Sequence, residues 1–136
     1  MHRLGKYTAS DRMSDLVCGN YHILLIMSRF GIALGFGDRT VDEVCCQSGV
    51  DTATFLAVVN LLYDEGTTTV DCRNVSLEAF LRYLHNSHDY FLQYRLPDIR
   101  RKLSEAVACG RDGIAEAIIR FFDDYAAEVR KHMMYE

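Results

Sequence analysis

The sequence lacks several features that would place it in a class at once. No window approaches the ~20 consecutive apolar residues of a membrane span, and the N-terminus has no secretory signal pattern. We therefore expect a cytoplasmic protein with no membrane partner. The net charge of −4 gives no electrostatic basis for direct nucleic-acid binding, and the densest basic cluster, Arg100-Arg101-Lys102, is short enough to be a solvated helix face.

Recognisable catalytic and zinc-binding motifs are also missing. The five cysteines lack metal-type spacing, and the adjacent pair Cys45 and Cys46 suits neither a zinc knuckle nor an ordinary disulfide. We expect the cysteines to be reduced and mostly packed as small core residues. No nucleophile elbow, phosphate-binding glycine loop or Cys–His couple stands out, so an enzymatic activity has no candidate residues.

Helix signals account for residues 1–64, which we interpret as a small helical N-terminal domain. Asn20 suits an N-cap for a helix over 21–30, which Gly31 ends. Thr40 and Glu43 have the spacing of a capping box. Asp51 suits the N-cap of an apolar helix over 52–63. No stretch alternates cleanly enough to predict β-structure, so the fold class is all-α.

A change of composition over 64–74 predicts a short linker, followed by two long helices over 75–136. Ser76 can cap the first of them. Pro97 is the only proline, and the apolar pattern continues beyond it, which favours a kink over a helix end. A glycine-rich turn over 109–113 then leads into the last helix. A short turn between long helices predicts an antiparallel hairpin.

Each long helix carries a histidine on its apolar stripe, at steps of three and four residues. The first stripe ends in His88, and the second continues through His132 to Glu136. Imidazole and carboxylate groups on a core face need hydrogen bonds, a charge partner or a metal. The stripes are Leu77, Leu81, Leu84, His88 and Phe91/Leu92, and Ile114, Ile118, Phe121, Tyr125, Val129, His132 and Glu136.

Spacing alone leaves two interpretations of these polar groups open. They are either polar residues at the edge of a core, bonded to each other or to the backbone, or metal ligands. His and Glu side chains that face inward in a helical bundle are a way of holding non-haem iron. His85 is a second candidate on the first helix, one turn before His88 and beside the stripe.

The segment 84–99, LHNSHDYFLQYRLPDI, resembles the first bundle helix of hemerythrin-like proteins, especially the di-iron family that repairs iron–sulfur clusters. The segment 121–136, FFDDYAAEVRKHMMYE, resembles the second ligand-bearing helix, with the His-Met-x-x-Glu signature. The resemblance implies that His132 binds one iron, that Glu136 bridges two, and that the first helix supplies one ligand, His88 or His85. It implies two irons per complete bundle and a small ligand such as oxygen or nitric oxide.

The segment 28–41 is similar to the N-terminal domain of the repair proteins, which carries an aromatic-Gly-Ile segment and a Cys-Cys turn. Gly35 and Phe36 occupy the Cys-Cys positions here. This departure removes the vicinal thiols that such a domain would use for repair. The resemblance therefore implies a stress-response relative that senses or handles oxygen, nitric oxide or iron.

A hemerythrin-like bundle has four helices, whereas residues 75–136 supply two. We expect either that helices beyond Glu136 complete the bundle, the chain being a fragment in which iron is absent or incomplete, or that two chains pair as a homodimer. The alternative function is a metal-free helical dimerisation or interaction module, such as the regulatory part of a longer transcriptional regulator. Convergence of His88, His132 and Glu136 on one point would distinguish the two.

Overall fold

A computed structural model describes residues 7–63, 72–108 and 113–135, and the all-α class is confirmed there. The described chain is mostly helical, and an isolated bridge joins Arg12 to Thr40. The elements are α1 (Met13–Gly19), α2 (Ile23–Phe30), α3 (Val41–Gln47), α4 (Thr52–Tyr63), a 3-10 turn (Cys72–Asn74), α5 (Leu77–Tyr90), a π-helical turn (Phe91–Arg95), α6 (Leu96–Val107) and α7 (Ile114–Met134).

Contacts divide the chain into two compact units, Met1–Asn86 and Ser87–Glu136. Helix α5 begins in the N-terminal unit, and its last turn belongs to the C-terminal unit. The linker predicted over 64–74 lies mostly outside the described residues.

Three predicted helix caps are confirmed. The Thr40 hydroxyl accepts the Glu43 backbone N–H at 3.3 Å, and a Glu43 carboxylate oxygen accepts the Thr40 N–H at 2.8 Å, which completes the capping box of α3. Asp51 accepts the Thr54 N–H at 2.9 Å at the start of α4. The Ser76 hydroxyl accepts the Ala79 N–H at 3.3 Å at the start of α5. Each cap satisfies a backbone donor that the helix itself leaves without a partner.

Helix α2 begins two residues later than predicted, at Ile23. The Asn20 side chain accepts the His22 N–H at 3.0 Å, so it orders the turn before the helix instead of capping the helix itself. The helix ends as predicted at Gly31, whose φ of 76° is the left-handed conformation that glycine adopts without a steric cost.

The core of the N-terminal unit draws on all of its helices. Phe30 packs edge-on against Phe55 and stacks on Tyr83, with ring centroids 5.5 and 4.7 Å apart. The first part of α5 therefore belongs to this core. The buried residues of the core include Met13, Leu16, Ile23, Ile26, Met27, Val41, Val44, Cys45, Phe55, Val58, Val59 and Tyr83.

The cysteine prediction holds in part. Cys45 is completely buried in this core, whereas Cys18 and Cys46 are exposed. Both exposed thiols lie on the outward side of short helices, so the expectation that they fill the core is wrong for them. Cys109 and the side chain of Cys72 lie outside the described residues.

In the C-terminal unit the helical backbone continues through the region before Pro97. The Leu96 N–H bonds to the Phe91 carbonyl, one residue beyond the α-helical partner, which forms the π turn. Proline cannot donate a helix hydrogen bond, and here it lies in the first turn of α6, where none is needed. The predicted irregularity is therefore a π turn that leads directly into a new α-helical segment.

Helices α6 and α7 pack against each other in an antiparallel arrangement. Val107, near the end of α6, lines the same hollow as Ala115, near the start of α7. Farther from the turn, Arg100 pairs with Asp123 at 2.6 and 2.9 Å. None of the described helices has the length and apolar content needed to cross a membrane.

Candidate metal centre

Helix α7 carries two adjoining apolar stripes, and only one of them is covered. The stripe that is half-buried consists of Ala115, Ile119, Phe122, Ala126, Val129 and Met133. The stripe on which the sequence places His132 is exposed instead, with Phe121 at 76% and Tyr125 at 52% of their full accessible surface. The core face that the sequence predicts for α7 is therefore not the covered face, although Val129 belongs to both descriptions.

The α7 sequence contains the signal for this second stripe. Apolar residues occupy neighbouring positions in successive turns, such as Ile118 beside Ile119 and Phe121 beside Phe122. A helix that is apolar over such a wide arc is suited to pack on more than one neighbour. Periodicity alone could not select which stripe α6 covers, because both stripes repeat at helical spacing.

His132 lies in the last turn of α7, near the C-terminal end of the helix. It lines a shallow hollow together with Glu128, Lys131 and Tyr135, all of them from the same helix. His132 and Glu128 are four residues apart and so share one face of the helix. Both side chains are exposed, as is Tyr135. The histidine is therefore presented outward from the described chain, on the uncovered stripe.

The histidines of α5 differ in their exposure. His85 is exposed and lies in the part of α5 that belongs to the N-terminal unit, whereas His88 is half-buried and lies in the C-terminal unit with His132. Leu84, on the predicted stripe, packs against the core of the N-terminal unit. Glu136, the predicted bridging ligand, lies outside the described residues.

The donor types fit iron, but the described residues of one chain do not form a complete ligand set. Imidazole and carboxylate suit non-haem iron. Among residues 7–63, 72–108 and 113–135, no three His, Cys, Asp or Glu side chains lie close enough together to hold a metal ion. Since Glu136 is outside these ranges, the ligand assignment of His88, His132 and Glu136 stays a prediction.

The basic cluster of α6 is engaged in ion pairs, as expected for a solvated helix face. Arg101 pairs with Asp98 and Glu105 at 2.8 and 2.7 Å, and Lys102 pairs with Asp98 at 2.7 Å. These contacts lower the pKa of Asp98, chiefly through hydrogen bonds from Lys102 and Arg101. The cluster is thus balanced by acids on its own surface and offers little net positive potential to a polyanion.

Comparisons with known proteins leave the family undecided: no family model, no curated protein and no solved structure shows a significant match to this chain.

Proposed function

We propose that this chain is the ligand-bearing half of a hemerythrin-like non-haem di-iron module that senses or handles oxygen, nitric oxide or iron. Three side chains, His88, His132 and Glu136, are the proposed ligands, and His85 is the alternative to His88. The proposal rests on the resemblance of the two histidine-bearing segments to that family and on the donor types themselves.

One structural observation supports this proposal above all. His132 lies on an apolar stripe of α7 that nothing in the described chain covers. The exposed apolar part of this stripe, from Ile114 to Tyr125, spans about three turns, and such a surface is costly to leave in water. It therefore indicates an interior face that awaits further helices. In a four-helix bundle the interior face is where metal ligands project.

Bound iron would supply a centre that takes up small ligands such as oxygen or nitric oxide. The chain's own contribution would be to place the His132 imidazole on a rigid helix and to surround it with apolar groups. Tyr125 lies two turns before His132 on the same stripe, and Phe121 a turn before that. Once covered by further helices, these rings would keep water from the site and control access to it.

A second candidate function is a metal-free helical association module, which could regulate a partner domain such as a DNA-binding domain of a longer chain. The exposed α7 stripe supports this candidate equally, because an uncovered apolar face on a helix is suited to bind another helix. The two candidates share an interface and differ in whether iron is held there.

An anaerobic titration with ferrous iron separates them, with bound iron counted per chain. We expect about one iron per chain, lost in His132→Ala and in either His88→Ala or His85→Ala. The matched control is His22→Ala, because His22 is an exposed histidine of the N-terminal unit. Absence of binding, or equal loss in the control, would overturn the iron proposal for this chain and leave the association module.

A further inference from the structure

The uncovered stripe of α7 has the spacing of a coiled-coil seam. Its members alternate at steps of four and three over the whole helix, and every one of them is exposed. This 3.5-residue repeat is what allows two helices to pack side by side along their length. We call this set the α7 seam: Ile114, Ile118, Phe121, Tyr125, Glu128, His132 and Tyr135.

We infer that the α7 seam binds the same seam of a second copy of this chain, in an antiparallel homodimer with one defined register. This inference rests on the proposed use of the stripe as an interior face and names its partner. A second copy brings an identical seam, and a two-fold axis makes each contact occur twice. With α6 packed on the adjoining stripe of each α7, the dimer core contains four helices.

Two charged residues that flank the seam select the register. Asp124 and Lys131 are exposed and each directly precedes a seam residue, so they lie on the same side of it. When Phe121 faces the partner's His132, Asp124 lies beside the partner's Lys131, and the two-fold axis repeats this ion pair. A shift by one heptad would instead bring Asp124 against the partner's Asp124. Flanking charges of this kind set orientation and register in coiled coils.

The seam residues themselves fit the same register. Ile118 faces the partner's Tyr135, which is an apolar contact at each end of the interface. Tyr125 faces the partner's Glu128, whose carboxylate can accept a hydrogen bond from the phenol. The two polar members of the seam, Glu128 and His132, are thus each placed against an aromatic ring, and neither is placed against a like charge.

The exposed area agrees with a weak dimer. Phe121, Tyr125 and Tyr135 expose 76, 52 and 85% of their surface. A fully buried aromatic side chain removes ~150–250 Å² from water. Scaled by their exposed fractions, these three side chains would bury ~400 Å² per chain in the dimer. The paired stretch from Ile118 to Tyr135 is ~26 Å long. A total of ~1,000 Å² over both chains is below the range of standard stable interfaces and within that of weak ones, so we expect dissociation in the micromolar range.

Dimerisation and iron binding are separable in this arrangement. In the proposed register the two His132 side chains lie eleven positions apart along the paired helices, ~16 Å. Neither one metal ion nor two irons that share a bridging Glu136 could span that distance, so the dimer in this register does not form a di-iron site between the two chains. Iron at His132 would have to draw its other ligands from the same chain. A dimer that binds no iron and a monomer that binds iron are therefore distinguishable outcomes.

The inference is tested by exchanging the charges of Asp124 and Lys131. The dimer dissociation constant of each variant of the whole chain is measured by sedimentation velocity over a concentration series. Asp124→Lys and Lys131→Asp should each weaken the wild-type dimer about tenfold, because each places like charges together twice. The doubly exchanged chain should recover the wild-type dissociation constant. An equal mixture of the two single variants should form a heterodimer, since both of its ion pairs are complementary. Arg130→Asp, on the same helix but away from the seam, is the matched control.

The outcomes are decisive in either direction. A wild-type chain that remains monomeric throughout the series overturns the dimer, and a dimer that is indifferent to both single exchanges, or equally weakened by Arg130→Asp, overturns the register. Far-ultraviolet circular dichroism of each variant shows that the helices are intact. Iron counted on the same samples reports on the proposed function separately, whatever the dimer does.

Discussion

The side-chain amide of Asn60 forms two hydrogen bonds with the backbone of Tyr7. Its oxygen accepts the Tyr7 N–H at 2.8 Å, and its nitrogen donates to the Tyr7 carbonyl at 3.0 Å. The amide thus replaces the backbone partner that an extended segment would otherwise find in a sheet. It holds Tyr7, which is 4% exposed, on helix α4 across 53 positions of sequence.

Asn60→Asp should destabilise the N-terminal unit by about 1–3 kcal/mol, because the carboxylate can still accept the Tyr7 N–H but cannot donate to its carbonyl. Urea unfolding followed by circular dichroism measures the loss. Asn86→Asp removes a comparable amide donor, which bonds to the Arg29 carbonyl at 2.7 Å. It should lower the free energy of unfolding for the same reason. A change below a few tenths of a kcal/mol in Asn60→Asp would mean that the pair contributes little.

Thr54→Val should cost about 1–3 kcal/mol, since the buried Thr54 hydroxyl joins two helix starts. It donates to Asp51 at 2.5 Å and accepts the Ser76 N–H at 2.8 Å. Valine has the same shape and leaves both partners without that bond. Thr52→Val is the matched control, because the Thr52 hydroxyl is only half-buried and its partner Asp42 is exposed. Equal losses in the two variants would contradict the assignment.

The substitutions Phe121→Ser and Phe122→Ser should change the free energy of unfolding by different amounts, although the two residues are adjacent and identical. Phe121 is 76% exposed, so its removal should change the unfolding free energy of the monomer by less than about 0.5 kcal/mol. Phe122 is half-buried on the covered stripe, so its removal should cost about 1–3 kcal/mol. Urea unfolding at low protein concentration makes the comparison. The reverse order would mean that the His132 stripe is the covered one.

Phe121→Ser should have the larger effect on association. Its ring is the most exposed aromatic group in the central part of the α7 seam. We expect the dimer dissociation constant to rise at least tenfold, whereas Phe122→Ser should act mainly on folding. Sedimentation velocity on both variants, above and below the wild-type dissociation constant, distinguishes an effect on the interface from one on the fold.

Alkaline pH should destabilise the N-terminal unit through Cys45. Burial raises the pKa of this thiol from 9.0 to about 12, so the folded state keeps the proton that the unfolded state loses. Stability is therefore independent of this group below pH 9 and falls as the pH rises from there towards 12. Urea midpoints at about pH 8 and about pH 10 should diverge less in Cys45→Ala than in wild type. Cys18→Ala, which alters an exposed thiol that takes no part in shifting the Cys45 pKa, should retain the wild-type pH dependence.

Arg100→Ala should raise the pKa of Asp123 towards its ordinary value. In the wild type that pKa is lowered, first by the hydrogen bonds from Arg100 and then by its charge. A carboxyl group with a lowered pKa stabilises the fold above its unfolded pKa, and the contribution is lost as the pH falls through the folded value. Carboxyl chemical shifts followed by NMR over an acid titration report the change. Asp98, which pairs with Lys102 and Arg101, should titrate as before.

Local signals in the sequence determined most of the helix boundaries. Thr40 with Glu43, Asp51 and Ser76 each act on backbone groups within three residues, so their effect does not depend on distant packing. Asn20 shows the limit of such signals, because an Asx turn and an N-cap use the same acceptor on neighbouring N–H groups. The all-α class follows from the same local preferences.

The choice of covered face was decided by the tertiary structure. The sequence of α7 supports two apolar stripes equally well, and the folded chain leaves Phe122 half-buried and Phe121 exposed. Likewise the sequence placed His88 and His132 on helix faces, but whether they meet a third donor depends on long-range packing. Helical periodicity determines which residues share a face, because it is a property of the backbone, whereas the neighbour of that face is set by contacts between segments far apart in the chain.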